Sequence, residues 1–137
     1  MRPTKILIRA LRETAHKLRN GAQYCWSHAD SCNCGQLAQT ILNMDGAALE
    51  KRLKAQGCMG SWTLSASRCE RTGLDDGTVI AALCEVGMEL GDFYRLEFCT
   101  GPHGVADDHK DPHAVAAWMD AQADELERRR VAERGAP

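Results

Sequence analysis

Apolar residues recur every three or four positions over most of the chain, a period that predicts amphipathic α-helices. The first such segment follows Thr4, a residue suited to the N-cap, and ends at Asn20-Gly21, which favours termination. Its apolar positions are Leu7, Leu11, Ala15 and Leu18. The sequence therefore marks both ends of the first helix.

The second and third helices are predicted from their capping residues. Asn33 can cap the second, with Gln36 three residues later as a capping box requires, and Cys34 then falls in the first turn. Asp45 can cap the third, which is expected to stop at Gly57. The loop that leads into the second helix is rich in cysteine.

The second half of the chain carries the same period. A fourth helix is predicted from Asp75 or Asp76 to Gly87, and a short helical turn is expected around Phe93 and Leu96. The final helix has the clearest signals, because an Asp-Pro pair at 111–112 supplies an N-cap and a proline at the first helical position. Its apolar face is marked by Val115, Trp118, Met119 and Leu126.

The pattern predicts an all-α fold. No stretch of five or more residues alternates apolar and polar positions with β-branched enrichment, so a sheet is not expected. A chain of 137 residues, of which 44% are hydrophobic, is of a size for one domain. We therefore expect a single all-α domain over residues 1–137, a compact bundle of about six or seven helices.

Net charge and hydropathy limit the expected binding partners and the expected cellular location. Seventeen basic and nineteen acidic side chains give a net charge of -2, which does not favour nucleic-acid binding. No run approaches 18 apolar residues, so no membrane partner is expected. Arg9 interrupts the apolar run near the amino terminus before it could act as a signal peptide, which predicts a cytoplasmic protein. The sequence does not indicate an oligomeric state.

Seven cysteines are the unusual feature of the composition. A reducing cytoplasm keeps thiols free, so a disulfide framework is not expected. In such a protein, clustered cysteines act as metal ligands, as reactive thiols or as small core residues. Their positions must decide among these roles.

The segment 25–34 combines three thiols and one imidazole. Zinc and iron both accept thiolate sulfur together with imidazole nitrogen, so Cys25, His28, Cys32 and Cys34 are candidate metal ligands. The single residue between the two cysteines departs from the usual spacing of structural zinc sites, which have two or more. Cys25 lies at the start of the same segment.

Two alternatives remain open for the same residues. At a helix start, free N–H groups and the helix dipole would stabilise a Cys34 thiolate, which could act as a catalytic nucleophile with His28 as its base. The other alternative is structural, with Cys32 and Cys34 as packing residues in a metal-free helical interaction module.

The pattern W-x-H-x3-C-N-C-G-x-L-A-Q, formed by Trp26, His28, Cys32, Asn33, Cys34, Gly35, Leu37, Ala38 and Gln39, resembles a motif of a family of small uncharacterised bacterial proteins. Further matches lie at Ser61-Trp62-Thr63, Cys69 and Trp118. The resemblance implies no activity. It implies a grouping of His28, Cys32, Cys34 and Cys69, in which Cys69 supplies the distant ligand, and it leaves Cys25 out.

The remaining candidates are weaker. Cys84 is expected in the core, and Cys58 and Cys99 have no assigned role. The loop from His103 to His113, which includes His109, carries three histidines and three aspartates. It is interpreted first as a solvated loop, second as a metal site, and under the nucleophile hypothesis as a source of the base. The expected partner is a metal ion, zinc or iron. A small-molecule substrate in a pocket between helices is a second candidate.

Overall fold

The structure, a computed structural model, describes residues 1–26, 28, 31–55, 77–101, 104–105 and 108–135. Within these ranges it has six helices: α1 (Lys5–Arg19), α2 (Asn33–Leu42), α3 (Gly46–Ala55), α4 (Gly77–Glu85), α5 (Leu90–Phe98) and α6 (Pro112–Gly135). The prediction of a mostly helical, all-α protein is confirmed. One departure is a short antiparallel pair, β1 (Thr100–Gly101) and β2 (Gly104–Val105), with two residues in each strand.

The first helix begins and ends where its sequence signals predict. The Thr4 hydroxyl accepts the N–H of Leu7 at 3.1 Å and donates to the carbonyl of Val86 at 2.5 Å, so one residue caps α1 and ties it to the end of α4. At the other end, Asn20 is the C-cap and Gly21 follows with a φ of +86°.

The end of α4 depends on Gly87. Its φ is +125°, a conformation that side chains rarely adopt, and a Cβ there would lie 3.1 Å from the carbonyl oxygen of Arg2. The Gly87 carbonyl in turn accepts the N–H of Arg2 at 2.8 Å. The predicted stop at Gly87 is confirmed, and the glycine also lets the chain before α1 approach closely.

The first and last helices pack along each other. Two ion pairs join their exposed sides, Arg12 with Asp124 at 3.3 Å and Arg19 with Asp120 at 2.5 Å. As predicted, α6 begins at Pro112, directly after Asp111. Fully buried large side chains come from all six helices: Leu7, Leu11, Leu18, Leu37, Leu49, Leu83, Leu96, Val115 and Met119.

The second helix positions the candidate site, because it contacts α1, α3, α4 and α5. Its first six residues, 33–38, are all buried. Helix α5, expected only as a short turn, has nine residues and a reciprocal capping box in which Asp92 accepts the N–H of Glu89 at 2.8 Å. The C-terminal turn of α5 lies against the N-terminus of α2.

No helix among the described residues is both long and apolar enough to cross a membrane.

Candidate functional site: a thiol and carboxylate cluster at the start of α2

Cys32, not Asn33, is the N-cap of α2. Its backbone is extended, with φ −74° and ψ −176°, and its Sγ accepts the N–H of Gly35 at 3.4 Å. The expected cap position is thus wrong by one residue. Gln36 does not complete a capping box with Asn33, because its amide donates to the carbonyls of Gln23 at 2.6 Å and Ser31 at 3.1 Å. Cys34 is the second helical residue.

Asn33 does not cap α2, and its side chain instead hydrogen-bonds to three other segments. Its buried Nδ2 group donates to the carbonyls of Leu96 at 2.9 Å and His109 at 3.1 Å, and its Oδ1 accepts the hydroxyl of Tyr24. The asparagine therefore fixes α2 against the end of α5, the turn at residues 108–110 and the loop before α2. Burial raises the pKa of the Tyr24 hydroxyl far above its usual value, so the hydroxyl stays a donor.

A buried carboxylate lies directly at this helix start. Glu97, in the last turn of α5, is 2% exposed, and its Oε1 accepts the backbone N–H of Cys34 at 2.6 Å. The thiols of Cys32 and Cys34 lie close enough to this carboxylate to affect its pKa. We call Cys32, Cys34, Glu97 and the adjacent Cys99 the thiol and carboxylate cluster.

Cys99 completes the cluster from the C-cap of α5. Its backbone is left-handed, with φ +49°, a conformation that favours glycine, and its thiol is buried. The amide of Asn33 lies 3.8 Å from Cys99 Sγ. Burial, followed by the charge of Glu97, raises the pKa of this thiol to about 12.

The cluster holds Cys34 as a protonated thiol. The side chain is fully buried, its Sγ lies 3.9 Å from the carbonyl of Phe93, and burial together with Glu97 raises its pKa well above the usual value. The raised pKa of Cys34 is the opposite of the lowered pKa that its position at a helix start predicts. Burial likewise raises the pKa of Glu97, and the hydrogen bonds from Cys34 and Cys32 lower it in part.

His28 lies in the loop that leads into α2. Its backbone carbonyl accepts the N–H of Cys32 at 2.7 Å, but its side chain is exposed. The residue lines a cleft of about 470 Å³, together with Cys25, Ser31, Asp45 and Glu50 among others. Cys34 does not line this cleft. The cleft offers the exposed imidazole of His28 to a small molecule.

An aromatic group covers the outer side of the cluster. The indole N–H of Trp26 donates to the carbonyl of Glu97 at 2.9 Å, and the Trp26 ring contacts Phe98 and His109 with centroids 5.8 and 5.4 Å apart. Lys110 Nζ lies 4.6 Å from the centre of the same indole. His109 thus packs as a ring against aromatic neighbours.

The predicted ligands are only partly assembled in the described chain. None of the described residues form a group of three or more His, Cys, Asp or Glu side chains arranged to hold a metal ion. Cys69, Cys58 and His103 lie outside the described residues, so the predicted set with Cys69 stays a prediction. Cys84 is half-buried against the core, and none of the five described cysteines forms a disulfide.

The sequence assigns no role to Glu97 or to Cys99. Glu97 follows Phe93 and Leu96 by four residues and one residue, so it falls on the buried face of α5. A glutamate at that position of an apolar face is the signal that could have found it. Cys99 lies two residues beyond Glu97, immediately after α5.

Comparison with known proteins found no match: no family model, no curated protein and no solved structure matches the chain.

Proposed function

We propose that the protein binds one transition metal ion, zinc or iron, with the thiolates of Cys32 and Cys34 as ligands. Cys69 is the proposed distant ligand and His28 the fourth. These four donors would complete the tetrahedral set of thiolate and imidazole that zinc and ferrous iron accept.

The observation that carries the proposal is the environment of Cys32 Sγ. A neutral thiol is a weak hydrogen-bond acceptor, and Ser, Thr, Asp and Asn are the usual N-cap residues. Cys32 nevertheless accepts the Gly35 N–H at the positive end of α2. A thiolate at this position would be stabilised by the helix dipole and by that hydrogen bond, as metal-bound sulfurs are.

A second observation supports the pairing of the two cysteines. Both thiols are fully buried at the start of α2, next to Glu97, whose Oε1 accepts the Cys34 N–H. A dication there would be held by groups that are otherwise costly to bury.

The geometry gives less support to the cysteine-nucleophile alternative. A nucleophilic cysteine needs solvent access and a lowered pKa. Cys34 has neither, because it is fully buried and its pKa is raised.

The proposal places this protein in the cytoplasm, as one helical bundle, where a reducing environment keeps the thiols available to a metal.

Cobalt titration tests the proposal. Apoprotein prepared with a chelator under reductant is titrated with Co²⁺, and thiolate ligation is measured by the sulfur-to-cobalt charge-transfer band in the near ultraviolet. We expect saturation at about one ion per chain. Separate Cys32→Ser, Cys34→Ser and Cys69→Ser variants should each lose part of the band intensity, and His28→Ala should keep it while the visible bands shift.

Cys84→Ser is the matched control, because Cys84 is half-buried in α4 and is not in the cluster. It should bind Co²⁺ with the same spectrum as the parent chain. A parent chain that shows no charge-transfer band, or a band that survives both Cys32→Ser and Cys34→Ser at full intensity, would contradict the proposal.

A further inference from the structure

A cleft of about 470 Å³ lies between the loop before α2 and the start of α3. Its walls come from residues 22–25, 28 and 31 of the loop, from Gln39 of α2, and from residues 45–47 and 50 around the start of α3. Pockets that bind small molecules have volumes of about 300 to 1,000 Å³. The cleft is therefore large enough for a small organic molecule, and neither Cys32 nor Cys34 is among the described residues that line it.

Ser31 lines this cleft, and its hydroxyl has no hydrogen-bond partner in the described chain. The residue is 8% exposed. Its backbone N–H donates to the carbonyl of His28 at 3.1 Å, and its carbonyl accepts the N–H of Cys25 at 3.2 Å and the amide of Gln36 at 3.1 Å. The hydroxyl is therefore the polar group that Ser31 leaves for the cleft. Buried hydroxyls are normally hydrogen-bonded, so one that lacks a protein partner beside a cleft is available to a ligand.

The charged groups of the cleft favour a cation. Asp45 and Glu50 line it, and no lysine or arginine does so among the described residues. Asp45 Oδ1 accepts the N–H of Ala48 at 2.8 Å in the manner of an N-cap, so the other carboxylate oxygen is left for a ligand. None of the ion pairs formed among the described residues includes Asp45. This carboxylate also occupies the helix start at which an anion would otherwise bind.

We propose that the cleft binds a small organic ammonium ion that carries a second polar group. The ammonium lies beside the Asp45 carboxylate, and the second group, a hydroxyl or an amine, hydrogen-bonds to the Ser31 hydroxyl, which can both donate and accept. This site goes beyond the proposed metal ion and does not depend on it. His28, the proposed fourth metal ligand, also lines the cleft, so the variants that test the inference leave it unchanged.

Three four-carbon molecules test the chemistry of the ligand. They share one hydroxyl and differ at the other end: 4-amino-1-butanol is a cation, 1,4-butanediol is neutral and 4-hydroxybutanoate is an anion. Each is titrated into the full, nitrogen-15-labelled chain under reductant, and the backbone amide shifts are measured by NMR. With the amino alcohol we expect saturable shifts around residues 22–25, 31 and 45–50. Its affinity should exceed that of the diol by about 3-fold or more, the factor that an exposed charge pair supplies.

Two variants test the residues that are proposed to hold the ligand. Asp45→Asn removes the charge but can still cap α3, and Ser31→Ala removes a hydroxyl that no group of the described chain uses. Each should weaken binding of the amino alcohol by about 3-fold or more, and Ser31→Ala should unfold at the same urea concentration as the parent chain. Asp111→Asn is the matched control and should keep the parent affinity. Asp111 lies before α6 and accepts the N–H of His113 at 3.3 Å, and it does not line the cleft.

An amino alcohol that causes no saturable shift overturns the inference, and so does a diol or a hydroxy acid that binds as tightly. Parent affinity in either variant also overturns it, because Asp45 would then hold no cation or the Ser31 hydroxyl would meet only solvent. If Asp45→Asn does not fold, Ser31→Ala decides the matter, since it removes no hydrogen bond of the described chain. A chain that binds the amino alcohol but no Co²⁺ supports this inference and overturns the proposed function, so the two fail separately.

Discussion

Asn33 is a buried side chain whose hydrogen bonds all go to other segments. Its amide group contacts the end of α5, the turn at His109 and the hydroxyl of Tyr24. Removing it takes away one buried donor shared by several backbone carbonyls and the acceptor of the Tyr24 hydroxyl, so several hydrogen bonds are lost together. Asn33, which lies between the two cysteines, thus holds the start of α2 against the end of α5.

Asn33→Ala should lower the free energy of unfolding by about 2 to 4 kcal/mol, because several buried hydrogen bonds are lost with one side chain. Urea unfolding of the apoprotein measures this. Asn20→Ala is the control, since Asn20 is exposed at the C-cap of α1, and it should cost less than about 1 kcal/mol. A loss of under 1 kcal/mol for Asn33→Ala would contradict the role of Asn33.

The thiols of Cys34 and Cys25 should differ in their rates of alkylation. Because Cys34 is fully buried and its pKa is raised, iodoacetamide at pH 7 should modify it at least about 100-fold more slowly in the native apoprotein than in urea. Cys25, which lines the open cleft, should react faster than Cys34. Peptide mass spectrometry reports both sites. Rapid, selective alkylation of Cys34 at pH 6 would instead favour the nucleophile alternative.

At the scale of elements, the start of α2 combines a cap with a proposed ligand, and two variants separate these roles. Cys32→Ala removes the cap and should cost about 1 kcal/mol of apoprotein stability, whereas Cys32→Ser offers a hydroxyl cap and should stay within about 0.5 kcal/mol of the parent chain. Both variants should lose metal affinity. Stability is measured by urea unfolding with a chelator present, and affinity by Co²⁺ titration.

A Cys32→Ser protein that binds Co²⁺ like the parent chain would show that Cys32 is only a cap. A Cys32→Ala apoprotein as stable as the parent would show that the Gly35 N–H needs no acceptor there.

Much of the element pattern is predictable from local signals. Thr4 and Gly87 mark helix ends that the structure has at the same places, because capping and a left-handed turn depend on the residue itself. The cap of α2 is off by one because cysteine is not an ordinary capping residue, and Asn33 is used by distant carbonyls instead. Helix α5 is longer than the short turn that the sequence predicts. Its Glu89–Asp92 capping box is hard to recognise because it has an aspartate where a glutamate or glutamine is usual.

The candidate site was predictable only in part, for a related reason. Cys32 and Cys34 are adjacent in sequence, so their clustering is a local property. Glu97 and Cys99 reach the same place only because α5 packs its last turn against α2, more than sixty residues later in the chain. No local pattern reports such a contact.

At the scale of the whole molecule, the proposed ion should stabilise the fold by mass action. An ion present at about a thousand times its dissociation constant adds about 4 kcal/mol. For a domain of this size the chelator should then lower the midpoint of thermal unfolding by about 10 °C or more. Calorimetry measures the difference between metal-loaded and chelated protein.

Two variants calibrate that shift. Cys84→Ser should show the same drop on chelation as the parent chain. Cys34→Ser should show a smaller drop, because it binds the ion more weakly. An equal midpoint for loaded and chelated parent protein would mean that no ion contributes to folding.

We propose that the chain holds a transition metal at the start of α2. The most direct measurement is the zinc and iron content, by elemental mass spectrometry, of protein purified under reductant without a histidine tag. We predict about one ion per chain in the parent protein and a large loss in the Cys32→Ser, Cys34→Ser double variant. Less than about 0.2 ion per parent chain, or an unchanged content in the double variant, would contradict the claim.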